Sequence, residues 1–272
     1  DWPRSVSSGQ DDPWQNPDWY LLSCGKPATA SSHTVGKEPK FVTEENVQNW
    51  WRAQDNTPGQ WLQIDLEQAM DVRAVQVNFA DDKLEMPSPG EILRSKTQLR
   101  YIEEDERVTR WILEGSLDGK QYFVIEDKSR VATDLPHDLV VRENGFQVRY
   151  IRLTILEVPY RQVPCISGLR VFGIGPGAKP AVPAYEARRS DDRLDLLVSI
   201  QGVNAVGYNI IWGHEEKKLY HSCLVYNDRE HMQNSLEITR RIGALVKEQD
   251  YFVRVDAFNE SGITEGMVRK LV

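Results

Sequence analysis

The chain has 272 residues, enough for two ordinary domains or one large one. Its net charge is −8 and no basic tract stands out, which argues against a nucleic-acid partner. No run of about eighteen apolar residues occurs, so nothing reads as a membrane-spanning helix. Cys24, Cys165 and Cys223 form no C-x-x-C pair, which leaves a thiol-redox motif and a Cys-rich zinc site unsupported. They leave room for one disulfide, and free buried thiols are the favoured reading. No signal peptide stands at Asp1, so the chain reads as a mature form or as a cut piece of something longer.

Residues 1–19 are rich in Pro, Asp and Trp and have no periodicity. They read as a meandering linker whose Trp2, Trp14 and Trp19 pack on a neighbouring surface. Residues 26–32 read as a first strand, with Pro27 near its start where no ladder donor is lost. Residues 44–49 form a short polar loop rich in oxygen ligands. Trp50-Trp51-Arg52-Ala53 then leads into a turn at Asn56, Pro58 and Gly59. Residues 61–66 alternate bulky and polar side chains with period two, the pattern of a half-buried strand, and residues 72–79 do the same. Residues 81–105 are charged, carry Pro87, Pro89 and Gly90, and read as a long loop. Asp118-Gly119 between two apolar runs, 111–116 and 122–125, signals a hairpin. Residues 138–141, 148–156 and 166–172 read as further strands. Trp51, Trp61 and Trp111 read as core. Trp50 points to the opposite face from Trp51, as a binding platform or a contact with another domain. Helical periodicity is absent, and many short strands with turn signals between them imply a sandwich.

Gly173-Ile174-Gly175-Pro176-Gly177 is a linker by composition. Beyond it a smaller all-β unit is expected, with strands at 194–200, 206–212, 235–238, 251–258 and 267–271.

Several of these motifs carry a resemblance. The acidic loop, Trp50-Trp51, the turn and Trp61-Leu62-Gln63-Ile64-Asp65-Leu66 resemble the centre of the coagulation factor 5/8 type C (discoidin, galactose-binding-like) domain. Lys26-Pro27-Ala28-Thr29-Ala30-Ser31-Ser32, Leu113-Glu114-Gly115-Ser116-Leu117-Asp118-Gly119 and Ser167-Gly168-Leu169-Arg170-Val171-Phe172-Gly173 stand in the matching order. Residues 245–262 are similar to the fibronectin type III signature: Tyr251 marks the corner before a core strand, and Asn259-x-x-Gly262 makes the next turn. That family's usual strand-B tryptophan is replaced here by Val198 and Ile200. Together the two parts look like the region after the catalytic domain in bacterial family 43 glycoside hydrolases of the xylosidase and arabinofuranosidase type.

The resemblance implies an all-β chain in three parts. Residues 1–18 would be a linker leaving a five-bladed catalytic propeller that is not in these residues. Residues 19–175 would form a galactose-binding-like jelly-roll sandwich, and 176–272 a fibronectin type III-like sandwich. It further implies a secreted, periplasmic or cell-surface bacterial protein without catalysis of its own. That protein would bind plant polysaccharide or another glycan, or brace the propeller. A purely structural module is one alternative. The other is glycosidase activity in this chain, with Asp81-Asp82 and Glu103-Glu104 as acid and base.

The resemblance also implies two sites. A structural Ca²⁺ would be held by Glu44, Asn46, Asn49 and a backbone carbonyl of Ser167; hard oxygen ligands suit that ion. Here Glu replaces the usual Asp, Asn replaces Thr, and Gly168 stands where many relatives carry a liganding Glu. The competing reading is a loop capped by its own side-chain hydrogen bonds. A sugar would meet loops at one end of the sandwich through His33, Asp81, Asp82, Tyr160 and Arg161. It needs an aromatic face for its C–H surface and planar polar groups for its hydroxyls. Solvated surface roles compete for each of these residues.

Overall fold

The computed structural model describes residues 19–83, 92–94, 99–101, 108–202, 204–226, 237–243 and 245–271. The linker 1–18, Pro87, Pro89, Gly90, Glu103 and Glu104 lie outside them. The chain is all-β, as expected, and divides into two compact units, Leu21–Ile174 and another that contains Gly175–Val272.

The first unit is built on one eight-stranded sheet, with β1 (Tyr20–Leu21), β2 (Ala28–Ala30), β3 (Trp51–Arg52) and β4 (Gln60–Phe79). A small separate ladder follows, β5 (Ile92–Arg94) with β6 (Leu99–Tyr101). The main sheet continues with β7 (Arg110–Ser116), β8 (Phe123–Asp127), β9 (His137–Glu157) and β10 (Cys165–Ile174). Its order is β1-β10-β4-β9-β7-β8, with β2 on β4 and β3 on β10. The β5–β6 ladder corrects the expectation of a structureless loop over 81–105. Ile92 to Arg94 and Leu99 to Tyr101 carry short apolar-polar runs that pair locally.

Strands β4 and β9 give the sheet its shape. At about 3.3 Å per residue, the 20 residues of β4 would span roughly 65 Å if straight. Yet Asn56 Nδ2, just before β4, donates to the Arg161 carbonyl at 2.7 Å, and Asp81, just after it, accepts from Gln162 Nε2 at 3.2 Å. Both ends of β4 therefore meet consecutive residues of one turn, so the strand folds back on itself. The β4–β9 register breaks twice, between Asp65 and Met70 and between Val72 and Ala74, and the fold lies at the first break. Glu67 there takes φ 70°, and the Asp65 carboxylate accepts its N–H at 2.7 Å. Arg149 on β9 grips the same carboxylate with two bonds, 2.7 and 2.8 Å. The bent ribbon becomes two layers whose inner faces form the core. Leu62, Ile64, Leu66, Met70, Val72 and Val77 of β4 are all fully buried, with Ile151, Leu153 and Ile155 of β9.

The strands expected at 61–66 and 72–79 are thus one element, as are those at 138–141 and 148–156. The exposed gap of Glu67, Gln68 and Ala69 reads as a break in sequence, but it is an irregularity that bends the ladder without ending it. Trp51 and Trp111 are core as expected. Trp61 is not. It shares a face with Gln63 and Asp65, opposite to Leu62, Ile64 and Leu66, and is only half-buried. Arg152 lies over its ring at 4.8 Å and over Tyr122 at 4.0 Å. The expected hairpin is present: Gly119 takes φ 71°, and Asp118 Oδ1 accepts the N–H groups of Lys120 and Gln121. All three cysteines are free. Cys165 is buried, Cys24 is exposed, and Cys223 is half-exposed although it packs against the core of the second unit on the same face of β14 as Val225.

The second unit has β11 (Ala184–Arg189), β12 (Leu196–Gln201), β13 (Gly207–Gly213), β14 (His221–Tyr226), β15 (Glu237–Ile242), β16 (Phe252–Asn259), β17 (Gly262–Thr264) and β18 (Arg269–Lys270). One sheet runs β11-β12-β15, the other β14-β13-β16-β17, with β18 on β16. Leu196, Val198 and Ile200 from one sheet and Ile210, Val253 and Val255 from the other are fully buried in one cluster. Tyr251 is buried just before β16, and its hydroxyl accepts the Val246 N–H at 3.2 Å. Asn259 Oδ1 accepts the Ser261 N–H at 2.8 Å, and Gly262 takes φ 136° in the turn that follows. β11, β14 and β17 were not legible, because charged or mixed residues blur their alternation.

Two predictions follow from the bend and its burial pattern. Leu62→Ala should cost roughly 2–5 kcal/mol in urea unfolding, whereas Thr29→Ala, on an exposed position of β2, should stay within about 0.5 kcal/mol. Hydrogen bonds from Arg149, ahead of the other causes, hold the Asp65 carboxyl below its usual range. A depressed carboxyl contributes stability above its unfolded value, near about 3.9, that is lost as pH falls through the folded value. Asp65→Asn should therefore lower stability at neutral pH and flatten the acid limb of a stability–pH curve.

Candidate functional site

The fold-back of β4 gathers four loops at one end of the first unit: residues 31–38, 53–59, 80–83 and 158–164. Their bracing is dense. Gln60 is 9% exposed; its Oε1 accepts from the Ser31 and Ser32 hydroxyls at 2.6 and 2.8 Å, and its Nε2 donates to Asp55 Oδ1 at 2.8 Å. Thr34 receives Arg52 Nη1 on its hydroxyl at 3.0 Å and donates that hydroxyl to the Ala53 carbonyl at 2.9 Å. Each bond ties a loop to a strand end or to a second loop, and Ala53 and Val158 anchor two of the loops in the core.

The last loop holds two consecutive residues in the left-handed region, Tyr160 (φ 55°) and Arg161 (φ 50°). Bulky residues rarely adopt it, and clefts are where such strain is retained. The turn separates two clefts. One, of about 320 Å³, is lined by Tyr160, Asp81, Phe79, Asp134, Leu135 and Gln162 among others. Its neighbour, of about 310 Å³, is lined by Arg161, Asn56, Pro58, Glu157 and again Gln162. Cys165 also borders the first cleft, and burial pushes its thiol up to about 12, which keeps it protonated. A protonated thiol is no nucleophile.

The five residues expected to meet a sugar therefore separate. Asp81 and Tyr160 share the first cleft, and Arg161 borders the second. Asp82 borders neither: its Oδ2 accepts from Trp50 Nε1 at 3.2 Å and lies 3.7 Å from Arg52 Nε. His33 is exposed in the loop after β2. Trp50 does point away from Trp51, which is buried while Trp50 is half-exposed. The Lys37 ammonium lies 3.1 Å from the Trp50 ring centre, so one of its own lysines covers that face. Sequence reasoning missed Gln162, which borders both clefts, and Gln60. A glutamine in a loop carries no signal of its own until its partners are known.

The loop assigned to a cation is separate. Glu44 follows the short helical turn Pro39–Thr43 and is exposed. Asn46 Oδ1 accepts the Gln48 N–H at 3.0 Å, and the Asn49 N–H donates to the Asn46 carbonyl at 3.0 Å. Ser167 falls at the register shift between Ile166 and Gly168, and its hydroxyl donates to the Asn78 carbonyl of β4 at 3.3 Å. Glu45, which was not among the expected ligands, pairs with Arg170 at 2.8 Å. The donor chemistry is hard oxygen throughout, and an amide carbonyl keeps a second lone pair, so these residues are compatible with Ca²⁺. Among the described residues, no three His, Cys, Asp or Glu side chains converge on one point.

No family model matches the chain, and no curated protein matches it. Solved structures do show likenesses. The module CpGH89CBM32-4 of Clostridium perfringens, solved with GlcNAc-alpha-1,4-galactose, is 12% identical, with 58% of this chain and 96% of that one covered at a TM-score of 0.44. Chitosan-binding module 2 of a chitosanase/glucanase from Paenibacillus sp. IK-5, solved with chitotriose, is 14% identical, with 56% and 99% covered at 0.43. A family 89 glycoside hydrolase from Clostridium perfringens is 16% identical over 58% of this chain and 15% of its own length, at 0.41. Identities and scores this low assign neither a family nor a ligand to the present chain.

Tyr160→Gly tests whether the turn is strained. Glycine relieves about 1–2 kcal/mol of left-handed cost while the half-buried ring's packing is lost. Thermal unfolding should shift by no more than a few degrees, against a clear drop for Leu62→Ala.

Proposed function

We propose that this chain is a non-catalytic, glycan-binding accessory region of a carbohydrate-active enzyme, and that the glycan sits at the loop end of the first unit. One observation carries the reading: a cleft there joins an aromatic side chain, Tyr160, to polar groups from separate loops, Asp81 and Gln162. A sugar offers an apolar C–H face and directional hydroxyls, and such a cleft meets both. The cleft is shallow and has few anchors, so binding is weak, on the order of −4 to −5 kcal/mol, near millimolar.

The finer parts of the reading rest on the sequence motifs. The parent would be a bacterial glycoside hydrolase of the xylosidase or arabinofuranosidase type, secreted or at the cell surface, with its propeller before residue 1. The first module would cover 19–175 and a fibronectin type III-like module 176–272. The Tyr251 hydroxyl reaching back to Val246 supports the latter, since that family places a tyrosine at this corner. His33, Asp82 and Arg161 would flank the bound chain. A structural Ca²⁺ would be held by Glu44, Asn46, Asn49 and the Ser167 carbonyl.

Calorimetric titration with xylo-oligosaccharides, arabino-oligosaccharides and galactose checks the glycan reading. Weak binding by the wild type and none by Tyr160→Gly is the expected result. Absence of binding by both forms, with a longer protein that includes the propeller loosened by Tyr160→Gly, would favour a bracing role instead. For the cation, chelator should lower the melting temperature, by the equivalent of about 2.7 kcal/mol at a hundredfold excess of ion over its dissociation constant. Glu44→Ala should abolish that response. An unchanged melting curve with no metal by elemental analysis rules the ion out.

A further inference from the structure

Asn144-Gly145 is the one Asn-Gly pair in the chain. It lies where β9 leaves its ladder. Val141 pairs with Ala74 and Phe146 with Val72, so residues 142–145 oppose Arg73 alone. They have no strand partner of their own among the described residues. Residues 142–144 are exposed, and Gly145 takes φ 67°. Extra residues in a bulged strand are left unpaired in this way. The Asn144 side chain makes no hydrogen bond among the described residues. Asn46, Asn56 and Asn259 each commit theirs to a backbone partner. Arg73 holds the segment from β4. Its guanidinium donates to the Glu143 carbonyl, and to Asp71 Oδ2 at 3.0 Å. The fit is close, because a methyl group at Gly145 would collide with Asp71 Oδ1 and Arg73 Nε. Arg142 reaches across to β8, to the Ile125 carbonyl at 2.7 Å and Glu126 at 2.6 Å. Phe123, Val124, Val141, Phe146 and Asn144 line the cleft between, of about 510 Å³.

Asparagine is a thermolabile residue. The backbone nitrogen that follows it can attack its side-chain carbonyl carbon. A side chain on the following residue obstructs that approach, and glycine has none. We propose that Asn144 is a self-modification site, converted to aspartate and isoaspartate by the chain's own backbone and water. The Gly145 nitrogen bonds to Asn144 Cγ, the Cγ–Nδ2 bond breaks, and ammonia leaves with the Gly145 amide proton. Water then opens the five-membered imide at one of its two carbonyls. Addition at Cγ restores the ordinary main chain as aspartate. Addition at the backbone carbonyl leaves Gly145 joined through Cγ, as isoaspartate, and lengthens the main chain by one carbon. Either product adds a carboxylate to the cleft, in a segment that already holds Glu143 and touches Asp71. Arg73 and Arg142 are the cations beside it. The lengthened chain no longer fits against the Asp71–Arg73 pair, so isoaspartate frees the segment, while aspartate leaves it in place. The proposal is independent of the glycan reading.

The test holds the full chain at mildly alkaline pH, folded and in urea, and maps its peptides by mass over days. In the folded chain Asn144 should gain one mass unit about ten-fold faster than Asn46, Asn56 or Asn259. Isoaspartate should be among the products, since only the imide yields it. The folded rate should lie within about ten-fold of the rate in urea. Asn144→Gln should lose the early gain, and Asn144→Asp should copy the charge change. Position 144 is exposed, so both variants should fold normally by circular dichroism. The isoaspartate form, separated by ion exchange, should melt below Asn144→Asp. Conversion in urea with an intact Asn144 in the folded chain overturns the site. So does a folded rate no faster than that of the other three asparagines. Aspartate alone, without isoaspartate, overturns the ring-closing step. Equal melting of the isoaspartate form and Asn144→Asp overturns the release of the segment.

Discussion

The structure depends on one bend. Strands β4 and β9 run as a single ribbon that folds over at Glu67, where the Asp65 carboxylate holds both the Glu67 N–H and the Arg149 guanidinium. The bend turns one sheet into two facing layers, so the apolar rows on either side of it bury each other. The electrostatic grip at the bend is modest. It is partly exposed, and such pairs contribute about a kilocalorie per mole or less by themselves. Its importance is geometric, because it fixes where the ribbon turns and hence which side chains meet inside.

The same bend creates the candidate site. A straight β4 would put Asn56 and Asp81 far apart. The folded one brings both to the turn at 159–162, where Arg161 and Gln162 meet them. Loop residues distant in sequence therefore share one end of the unit, on a frame set by the core beneath. Gln60 extends this rigidity by joining the 31–32 loop to the turn at Asp55. A weakly binding surface gains from such preparation, since little ordering is left for the ligand to impose.

Period-two alternation made most of the first unit legible in sequence. It placed Leu62, Ile64 and Leu66 on one face, and by the same rule it should have put Trp61 on the other; weighting residue type over position hid this. Alternation does not reveal that two strands are one bent element, because the bend depends on a carboxylate–guanidinium pair 84 residues apart in sequence. In the second unit Tyr251 and Asn259 were legible because their roles are local, whereas β11 and β14 carry exposed charge and mixed patterns. At the loop end, order along the chain brought Asp81, Tyr160 and Arg161 to one region. It could not tell that the turn divides them between two clefts, or that Asp82 is bound to Trp50 and Arg52. Those outcomes depend on side-chain partners that come together only after folding.

The central claim is that the loop end of the first unit is where a glycan binds. Mapping backbone amide shifts of the isotopically labelled chain during addition of an oligosaccharide tests it most directly. The account predicts that the perturbed amides cluster at Asp81, Leu135, Tyr160 and Gln162, with the Asp65 bend and the second unit unmoved. Shifts confined to the second unit, or to the outer face around Trp61 and Arg152, would contradict it.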